Sequence, residues 1–440
     1  MKQLVEKIKN AIKGTEFEGK SFIAGGFVRD QAMGNASKDI DICVELPDGG
    51  IRLAEFLTKQ LHGTSVVIFE RFGTAQVVID NEAIEFVHTR KEVYTPGSRK
   101  PETCFGTIED DVYRRDFTIN SLLLNISTGE MLDLTGNGLF DIEAGLIQTT
   151  SNPAGIFAED PLRMLRACRF AAKLDFQIEW NTFKAITNDA HTIRDISKER
   201  ITEELMKILV SKNPVKGLEL MIESGLMTFI LPELVLTVGM QQNAFHSKDV
   251  FGHICDVIEA SQPTAMHRLA AFLHDIGKVN CRTIDENGVA HFYGHENESA
   301  IIAYRFMFEH KFSNDQIELV VTAVREHMML NKGCATKTLR RKRMELGDEK
   351  WNFLLDLCEA DRASHVDPDF SEINAARTLT AAEKPIIKDK LPLSGSDIME
   401  LFNLKPGREV GEKLALVREW VLEDPSLDQG KLIEKLKANV

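Results

Sequence analysis

The 440-residue chain lacks long apolar runs and paired cysteines. No apolar run approaches the roughly 20 residues of a membrane span, and Met1-Lys2-Gln3 leads into an amphipathic, partly acidic pattern that does not resemble a signal peptide. The seven cysteines are scattered, odd in number and without a Cys-x-x-Cys pair, which argues against a disulfide framework and against a zinc ribbon. We therefore expect a cytoplasmic protein that has no membrane partner.

Positive charge is also in short supply. The 53 lysines and arginines are outnumbered by 67 aspartates and glutamates, so the formal net charge is -14. This balance argues against a protein that coats nucleic acid through a general basic surface. The densest basic run, Lys337 to Arg343, leaves room for a local basic track, and a solvated helix face is the alternative. The apolar fraction of 43% is that of soluble globular proteins, and the length implies two to four domains.

The stretch from Ser21 to Glu45 combines several features that suit phosphate chemistry. Ser21 to Ala24 predicts a short strand, and Gly25-Gly26 lets the chain turn sharply into a helix. Backbone N–H groups at such a turn attract anions, and Arg29 lies one helical turn further on. A plain turn is the alternative interpretation of the two glycines.

Asp39 and Asp41 follow after about one helix. Because they are two residues apart on a predicted strand, both side chains leave the same face and would make a divalent-metal site. An exposed strand edge is the alternative. The order of glycine turn, arginine and paired carboxylates favours a site that holds a nucleoside triphosphate and its Mg²⁺ for phosphoryl or nucleotidyl transfer.

The remainder of the first part is predicted to be α/β. Met1 to Lys13 has the apolar spacing of an amphipathic helix. Three short β-rich segments follow at Ser65 to Glu70, Thr74 to Asp80 and Ala83 to His88, with a turn at Asp80-Asn81. Lys91 to Cys104 predicts a mobile polar loop.

Acids and arginines come next, before the predicted strand Ser121 to Asn125. Arg114 and Arg115 beside acidic residues form either a surface ion-pair knot or a clamp for a triphosphate. Met131 to Ile147 is turn-rich, with Asp133 and Asp141 as expected caps or turn-makers.

From about Asn152 the pattern becomes helical, and no further strands are expected. Ala158 to Phe176 begins with acids and a proline suited to a helix N-terminus, and Ser197 to Leu209 predicts a second helix capped by Ser197. Asp160 and Arg163 are three residues apart on one helix face. They form either an exposed ion pair or an acceptor and donor that read the Watson–Crick edge of a base.

Histidines and aspartates at helix ends form a second constellation. A single helical histidine is more often a packed core residue than a ligand. Several of them with an adjacent His-Asp pair favour a site for Zn²⁺, Ni²⁺, Mn²⁺ or Fe²⁺ that hydrolyses a phosphoester. The residues are His253, His274, Asp275, His295, His327 and Asp361.

Both constellations resemble those of the class II tRNA nucleotidyltransferases, the CCA-adding enzymes and bacterial poly(A) polymerases, with a fused HD-type phosphohydrolase domain. The motifs are GGFVRD at Gly25 to Asp30, KDID at Lys38 to Asp41, RRDFTIN at Arg114 to Asn120, EDPLRMLRACRF at Glu159 to Phe170, ERITEELMKIL at Glu199 to Leu209, and His274-Asp275-Ile276-Gly277-Lys278 with GHENESA. The sequence LPLSGSDIMELFNLKPG, Leu391 to Gly407, resembles the C-terminal part of such enzymes more weakly.

The resemblance implies an α+β fold in four parts: a nucleotidyltransferase head with a small β-sheet (1–150), an all-α neck (151–240), an all-α HD domain (241–370) and a helical tail (371–440). In the head, Asp39 and Asp41 would hold two Mg²⁺ ions and catalyse transfer. The implied nucleotide contacts are Gly25, Gly26, Arg29, Arg114, Arg115, Asp116 and Asn120 in the head, and Asp160, Arg163, Arg166 and Arg169 in the neck.

The implied activity is the addition of CCA to tRNA from CTP and ATP without a nucleic-acid template, with the tRNA acceptor arm as partner and a phosphohydrolase at the HD site. Glu85 is either a further acid near the metals or an ordinary exposed glutamate of a strand, which is common. The loop from Arg90 to Thr103 resembles one that helps such sites change from C to A addition. The alternatives are a poly(A) polymerase or A-adding enzyme, an HD phosphohydrolase on nucleotides or 2′,3′-cyclic phosphates with an RNA-binding head, and a non-enzymatic RNA-binding scaffold.

Overall fold

The computed structural model describes residues 2–36, 40–64, 66–69, 73–93, 102–242, 248–384, 386 and 391–439. These divide into two compact units, Met1–Ile230 and Leu231–Val440, which we call the N-terminal unit and the C-terminal unit. The finer division into four domains stays a prediction. In the described ranges, no helix is both long enough and apolar enough to cross a membrane.

Strands of the N-terminal unit build a mixed sheet. They are β1 (Ser21–Ala24), β2 (Ile40–Val44), β3 (Val67–Phe69), β4 (Thr74–Ile79), β5 (Glu82–His88), β6 (Arg90–Val93), β7 (Glu102–Phe105), β8 (Leu123–Asn125), β9 (Met131–Leu132), β10 (Leu146–Ile147) and β11 (Gln177–Ile178). Seven of them form one sheet in the order β3-β4-β5-β2-β1-β8-β9. Within it β2 and β5 are parallel, and the other neighbours are antiparallel.

Helices of the same unit follow and interrupt these strands. They are α1 (Lys2–Ile12), α2 (Gly26–Ala32), α3 (Gly49–Gln60), α4 (Ile108–Tyr113), α5 (Gly138–Ala144), α6 (Pro153–Glu159), α7 (Leu162–Leu174), α8 (Trp180–Asp189), α9 (Lys198–Leu209), α10 (Pro214–Glu223) and α11 (Met227–Ile230). The α+β head followed by helices confirms the predicted fold class.

The two faces of the sheet have different surroundings. One face packs against α1 and α3 in a core that includes Ile42, Leu53 and Phe86. A smaller apolar cluster with Cys43 and Val112 covers part of the other face. Because β2 alternates its side chains, Asp41 leaves on this second face, and it is exposed there.

Several predicted details are wrong. The segment Lys91 to Cys104 is not a loop at its ends, because β6 and β7 pair there with Lys91 opposite Cys104; residues 94–101 lie outside the described ranges. Short strands also occur after residue 152, since β11 pairs with β10. Asp133 makes the predicted turn, accepting from Gly136 N at 3.1 Å, but Asp141 lies inside α5 and accepts from the Thr118 hydroxyl at 2.5 Å. Ser197 precedes α9 as predicted, without a side-chain cap bond.

The C-terminal unit is almost entirely helical in its described parts. Its elements are α12 (Pro232–Leu236), α13 (Val250–Ala260), α14 (Ala265–Leu273), α15 (Lys278–Cys281), β12 (Thr283–Ile284), β13 (Ala290–His291), α16 (His295–Glu309), α17 (Asn314–Glu326), α18 (Thr336–Ala363), α19 (Ser371–Ala382), α20 (Gly395–Phe402), α21 (Arg408–Glu423) and α22 (Gln429–Ala438). The hairpin β12–β13 is a second exception to the expected absence of strands.

The basic run from Lys337 to Arg343 lies at the start of α18 and faces acids of its own unit. The ion pairs are Lys337–Glu419, Arg340–Glu383, Arg341–Glu419, Lys342–Glu326 and Arg343–Asp348, at 2.6 to 2.9 Å. Arg340 also donates to the carbonyl of Glu423 at the end of α21. The run is therefore not a plain solvated face, because its ion pairs attach the C-terminal helices; a basic track there stays a prediction.

Candidate active sites

The turn between β1 and α2 is built on Gly25. Its φ of +71° is one that other residues rarely adopt, and a Cβ there would lie 3.7 Å from Arg115 Nη1. Arg29, one turn into α2, is only 3% exposed. Its Nη1 donates to Asn120 Oδ1 at 2.7 Å, and its Nε donates to Asp30 Oδ1 at 2.8 Å. The glycine turn and the buried guanidinium thus lie side by side, as the sequence predicts.

Asp41 and Glu85 are neighbours on the exposed face of the sheet. The parallel strands β2 and β5 pair these two residues in register, and registered neighbours point to the same face. Both residues are exposed. Carboxylate oxygens are the donors that Mg²⁺ prefers, so this pair fits the predicted metal. Asp39, the other predicted ligand, lies outside the described residues.

One cavity of about 520 Å³ unites the predicted nucleotide site. Every residue of that prediction that the structure describes lines it. The lining residues are Gly25, Gly26, Arg29, Asp41, Arg114, Arg115, Asp116, Asn120, Asp160, Leu162, Arg163, Arg166, Arg169, Phe170, Lys173 and Arg200. Positions up to 175 residues apart in sequence therefore share one concave, arginine-rich surface that suits a triphosphate.

Arg114 and Arg115 are held by one buried carboxylate and do not form a surface knot. Asp111 is fully buried. Its Oδ1 accepts from Arg114 Nε at 3.0 Å, and its Oδ2 accepts from Arg115 Nη2 at 2.8 Å. Arg115 Nη1 also donates to the carbonyl of Asn120 at 3.2 Å. One anion thus orients two cations at the cavity, which leaves net positive charge for a ligand.

Replacing Asp111 by asparagine is expected to lower the thermal stability at neutral pH, because two partly buried cations lose their shared, fully buried anion. Removing one partner of a buried ion pair costs about 3–5 kcal/mol. Burial alone would raise the pKa of Asp111, but the charges of Arg115 and Arg114 outweigh burial and lower this pKa to about 2. A carboxyl whose pKa is lower in the folded state than its unfolded value of about 3.9 stabilises the fold above that value, and the contribution is lost as the pH falls toward the folded pKa.

The melting temperatures of wild type and Asp111→Asn, measured by calorimetry, should therefore differ most near neutral pH and converge below about pH 4. Asp80→Asn is the matched control, since Asp80 is half exposed and pairs only with Lys7 among described residues. A difference that stays constant down to about pH 3 would contradict this role of Asp111.

Asn120, Asp116 and Arg166 continue the network toward α7. Asn120 Nδ2 donates to Asp116 Oδ1 at 3.1 Å, while its Oδ1 accepts from Arg29, so both ends of the amide are fixed. Arg166 Nε donates to Asp116 Oδ2 at 2.7 Å. Burial would raise the pKa of Asp116, but Arg166 lowers it below the usual range. This chain of contacts positions Arg29 and Arg166 relative to each other.

Asp160 and Arg163 both line the cavity, but their side chains face different partners. Asp160 Oδ1 accepts from the N–H of Leu162 at 3.1 Å, and its Oδ2 accepts from Arg200 Nη2 at 2.7 Å. Arg163 instead donates to Glu159 Oε2 and to the carbonyl of Arg114, each at 2.8 Å. The pair on one helix face that the sequence predicts is therefore replaced by an Asp160–Arg200 pair between α9 and the start of α7.

Arg169 surrounds Phe170 together with two other arginines. Its Cζ lies 4.3 Å from the Phe170 ring centroid, and those of Arg29 and Arg166 lie at 5.4 and 5.5 Å. Glu204, a buried acid on α9, lies 2.9 Å from Arg169 Nε. Arginines over an aromatic face are favourable contacts, so Phe170 and Glu204 fix the inner wall of the cavity.

Sequence reasoning missed Asp111, Arg200 and Glu204 as parts of this site. The spacing of Asp111 from Arg114 and Arg115 is that of helix neighbours, which was a usable signal. Nothing in the sequence pairs Arg200 with Asp160, because that contact depends on how α9 packs against α7.

Six predicted ligands converge in the C-terminal unit. They are His253 on α13, His274 and Asp275 after α14, His295 at the start of α16, His327 after α17 and Asp361 on α18, and all are buried. They divide into two groups, each with donor atoms within 4.8 Å of one another: His253, His274 and Asp361 in the first, and Asp275, His295 and His327 in the second.

Asp275 lies between the two groups. Its Oδ2 is 3.1 Å from His253 Nε2 and 3.3 Å from His274 Nε2. Its Oδ1 is 3.1 Å from His295 Nε2. The two oxygens of Asp275 thus face different groups of ligands. This arrangement fits two cations better than one.

The outer nitrogen of each histidine is tied down. Nδ1 of His274, His295 and His327 lies 2.6 to 2.7 Å from the carbonyl oxygen three residues earlier, and His253 Nδ1 lies 2.9 Å from the Ser364 hydroxyl. A carbonyl only accepts, so these three Nδ1 atoms carry the proton and Nε2 faces inward as a donor to metal. His295 Nε2 is buried and faces Asp275 Oδ1 at 3.1 Å. The donor set fits a divalent transition metal.

The pKa shifts at this site mostly favour metal binding, because they keep ligand atoms deprotonated. Burial would raise the pKa of Asp275, but the charges of His274 and Lys278 hold it well below its usual range. Burial lowers the pKa of His274. For His253 burial would also lower the pKa, but hydrogen bonds to Asp275 and Asp361 raise it to about 9. A cation at that nitrogen therefore competes with a proton.

Gly277 allows the His-Asp turn to pack on α16. A Cβ there would lie 2.2 Å from the backbone nitrogen of Ser299, and the Gly277 N–H donates to Ser299 Oγ at 2.8 Å. Lys278 Nζ then reaches Asp275 Oδ2 at 2.6 Å. The glycine thus sets the spacing between the His-Asp pair and His295.

Models of three protein families match consecutive parts of the chain. Residues 21–148 match the "Poly A polymerase head domain". Residues 175–236 match the "Probable RNA and SrmB- binding site of polymerase A", and residues 250–364 match the "HD domain". The first match contains the glycine turn and Asp41, and the third contains all six candidate metal ligands.

Curated relatives extend over most of the chain. The CC-adding tRNA nucleotidyltransferase of Thermus thermophilus is 30% identical, over 91% of this chain and 89% of its own. The A-adding tRNA nucleotidyltransferase of Deinococcus radiodurans is 29% identical, over 90% of both chains. The CCA tRNA nucleotidyltransferase of Candida glabrata mitochondria is 36% identical, and there the chain spans only 41% of the relative's length.

Solved structures share the fold. A Bacillus stearothermophilus CCA-adding enzyme in complex with CTP superposes with a TM-score of 0.70 at 21% identity, covering 100% of this chain and 98% of that one. A CCA-adding enzyme in complex with ATP gives a TM-score of 0.67 at 19% identity, covering 100% and 96%. At these identities the likeness concerns the fold alone.

Proposed function

The chain belongs to the family of tRNA nucleotidyltransferases with a poly(A) polymerase-type head and an HD domain, and we propose that it adds C, C and A to the 3′ end of tRNA from CTP and ATP. The observation that carries this proposal is the shared cavity of the N-terminal unit. It combines a glycine turn, an exposed carboxylate and a set of oriented arginines, which are the parts that nucleotidyl transfer needs.

In the proposed reaction the terminal 3′-hydroxyl oxygen of tRNA forms a bond to the α-phosphorus of the triphosphate. The bond from that phosphorus to the bridging oxygen breaks, pyrophosphate leaves with the electron pair, and the hydroxyl proton passes to solvent. Arg114 and Arg115, oriented by Asp111, would neutralise the triphosphate, and the Gly25 turn allows close approach of the backbone.

Asp39 and Asp41, with Glu85 beside them, would hold two Mg²⁺ ions, and these would supply Lewis-acid stabilisation of the attacking hydroxyl and of the leaving pyrophosphate. Asp41 supplies oxygen donors at the cavity, and Glu85 is its neighbour on β5. The Asn120–Asp116–Arg166 network holds the sugar and phosphate contacts in place while the reacting atoms approach.

Base choice would depend on Asp160 as a hydrogen-bond acceptor. Cytosine and adenine both present an exocyclic amino group, whereas uracil and guanine present a carbonyl at that position. A carboxylate accepts a hydrogen bond from the amino group and none from the carbonyl. Arg200 donates to Asp160 Oδ2 and so orients that carboxylate without displacing its other lone pairs.

Replacing Arg200 by methionine is expected to reduce the preference for CTP and ATP over UTP and GTP by about tenfold, the cost of one lost charge-assisted hydrogen bond. The KM for CTP should rise more than kcat falls, because Arg200 acts on binding through Asp160. Steady-state incorporation with each of the four triphosphates measures this.

Lys216→Met is the matched control for that series, since Lys216 makes a similar partly exposed pair with Asp175 in the same unit. Arg200→Lys should restore part of the preference. An unchanged preference in Arg200→Met would show that Asp160 is positioned without Arg200.

The number and kind of nucleotides added need a direct test, because the relatives that match most of the chain are named for different products. The CC-adding relative is 30% identical and the A-adding one 29%, so CC addition alone and A addition alone are the second candidates. The test offers tRNA ending before CCA, tRNA ending after CC and an unrelated RNA, each with CTP or ATP separately. We expect C on the first tRNA, A on the second and nothing on the unrelated RNA. Long A runs on any RNA would instead identify a poly(A) polymerase.

The C-terminal unit is proposed to hydrolyse phosphoesters such as 2′,3′-cyclic phosphates. The six ligands would hold two divalent transition-metal ions, one in each group, and such ions would supply a bound water of lowered pKa as the nucleophile. The fixed histidines and the ionised Asp275 keep the donor atoms in place. The alternative, in which this is the only activity and the head merely binds RNA, is less well supported because Asp41 and the arginines are all present at one cavity.

A further inference from the structure

Arg114 and Arg115, the two arginines that would neutralise the triphosphate, directly follow helix α4. Asp111, which holds both guanidinium groups, belongs to that same helix. A contact between neighbours three and four residues apart fixes the arginines relative to α4 and does not fix α4 relative to the cavity. The place of the two arginines in the cavity therefore depends on what holds α4 from outside.

Thr150 holds the end of α4 from a distant segment of the chain. Its hydroxyl oxygen Oγ1 lies 3.0 Å from the carbonyl oxygen of Tyr113 and 2.9 Å from that of Arg115. Arg163 donates to the carbonyl between them, that of Arg114, at 2.8 Å. The last carbonyls of a helix have no partner within the helix, so these three are satisfied by side chains 35 to 49 positions further along the chain.

The backbone around Thr150 is itself fixed. Thr149 forms an antiparallel β-bridge with Phe117, and the carbonyl of Gln148 accepts from the N–H of Thr118 at 2.9 Å. The side chain of Thr150 is buried. A buried hydroxyl on a fixed backbone can act as an anchor, because its partner carbonyls lose a hydrogen bond if they move away.

We propose that Thr150 is a positioning residue for triphosphate binding, because its hydroxyl sets the place of Arg114 and Arg115 in the cavity. Glu45 holds the other end of α4, since it accepts from the N–H of Ile108 at 2.8 Å, and it directly follows β2, the strand of Asp41. The inference rests on the proposed function, and it concerns the phosphates of the nucleotide and not its base.

The test compares Thr150→Val, which keeps the shape of the side chain and removes the hydroxyl, with Thr150→Ser, which keeps the hydroxyl. Inorganic tripolyphosphate is the probe, because it has neither base nor sugar, and its binding to the full chain is measured by calorimetry. Thr150→Val is expected to raise the Kd about fivefold, the factor that corresponds to one neutral hydrogen bond. Thr150→Ser is expected to bind like wild type.

Steady-state incorporation into tRNA gives a second measurement. In Thr150→Val the KM for CTP and the KM for ATP should rise by the same factor as the Kd for tripolyphosphate. The preference for these two nucleotides over UTP and GTP should not change, since Asp160 and Arg200 are untouched. Thr58→Val is the matched control, because the Thr58 hydroxyl donates to the carbonyl of Ala54 at 2.7 Å, outside the cavity; it should bind tripolyphosphate like wild type.

Unchanged tripolyphosphate binding in Thr150→Val would overturn the proposal, and so would an equal loss in Thr58→Val, which would reflect stability alone. Thermal unfolding verifies the fold of each variant, and Thr150→Ala replaces Thr150→Val if the valine variant does not fold. A wild type that binds tripolyphosphate through Thr150 but adds no nucleotide to tRNA would overturn the proposed function and leave this inference standing. Nucleotide addition by wild type with unchanged KM values in Thr150→Val would do the reverse.

Discussion

Asp41→Asn is expected to lower nucleotide incorporation into tRNA by about a thousandfold or more. The substitution keeps the shape of the side chain and removes the charge that would hold Mg²⁺, and a lost metal ion forfeits several kcal/mol of transition-state stabilisation, each 1.4 kcal/mol being about tenfold. The loss should be in kcat, because the arginines that bind the triphosphate are untouched. Rapid-quench incorporation of labelled CTP and ATP measures it.

Two further variants give this result its meaning. Asp80→Asn changes a half-exposed acid in the turn between β4 and β5, outside the cavity, and this variant should incorporate nucleotides like wild type. Asp39→Asn should fail as Asp41→Asn does if the two acids act as the predicted pair. Full activity in Asp41→Asn would remove the basis for placing catalysis on β2.

Asp275→Asn is expected to remove both metal ions from the C-terminal unit and to abolish hydrolysis of 2′,3′-cyclic phosphates. The reason is geometric, since each oxygen of Asp275 faces a different group of ligands. Loss of a direct ligand should cost more than the tenfold to hundredfold in affinity that is usual for its hydrogen-bond partners. Metal content is measured by mass spectrometry after dialysis, and addition of C and A to tRNA should be unchanged.

Asp361→Asn separates the two groups, because Asp361 belongs to only one of them. It should retain one metal ion where Asp275→Asn retains none. Asp256→Asn is the control, since this acid pairs with Lys248 and is not a ligand candidate. Equal metal loss in Asp275→Asn and Asp361→Asn would contradict the two-group interpretation, and hydrolysis that survived Asp275→Asn would place the activity elsewhere.

Local patterns predicted the local structure well. Ser21 to Ala24 and the Gly25-Gly26 turn have the expected conformation, because a short apolar run followed by two glycines has few alternatives. The prediction of a loop at Lys91 to Cys104 was wrong at its ends. Proline and glycine in the middle of the segment indicate a loop, whereas the pairing of Lys91 with Cys104 depends on two strands that a short window of sequence does not connect.

Contacts between distant segments were much harder to predict. The pairing of Arg200 with Asp160 spans 40 positions and follows from the packing of α9 on α7, which no short window of sequence records. The run from Lys337 to Arg343 resembled an RNA-binding track because its acidic partners, such as Glu419 and Glu383, lie far along the chain.

The sequence predicted which histidines and aspartates of the C-terminal unit are candidate ligands, but it did not predict how they are arranged. Their spacing resembles that of a known metal site, which identified all six residues. The division into two groups depends on the orientation of Asp275 between helices, and the tethering of each Nδ1 depends on carbonyls that sequence does not place.

We expect the N-terminal unit to build a defined three-nucleotide end without a template. The most direct measurement incubates the full chain with tRNA lacking its CCA end, Mg²⁺ and all four triphosphates, and then sequences the 3′ ends of the products. The products are expected to end in CCA and to be extended no further. Products that end in CC alone, in a single A or in a run of A, or the absence of any product, would contradict it.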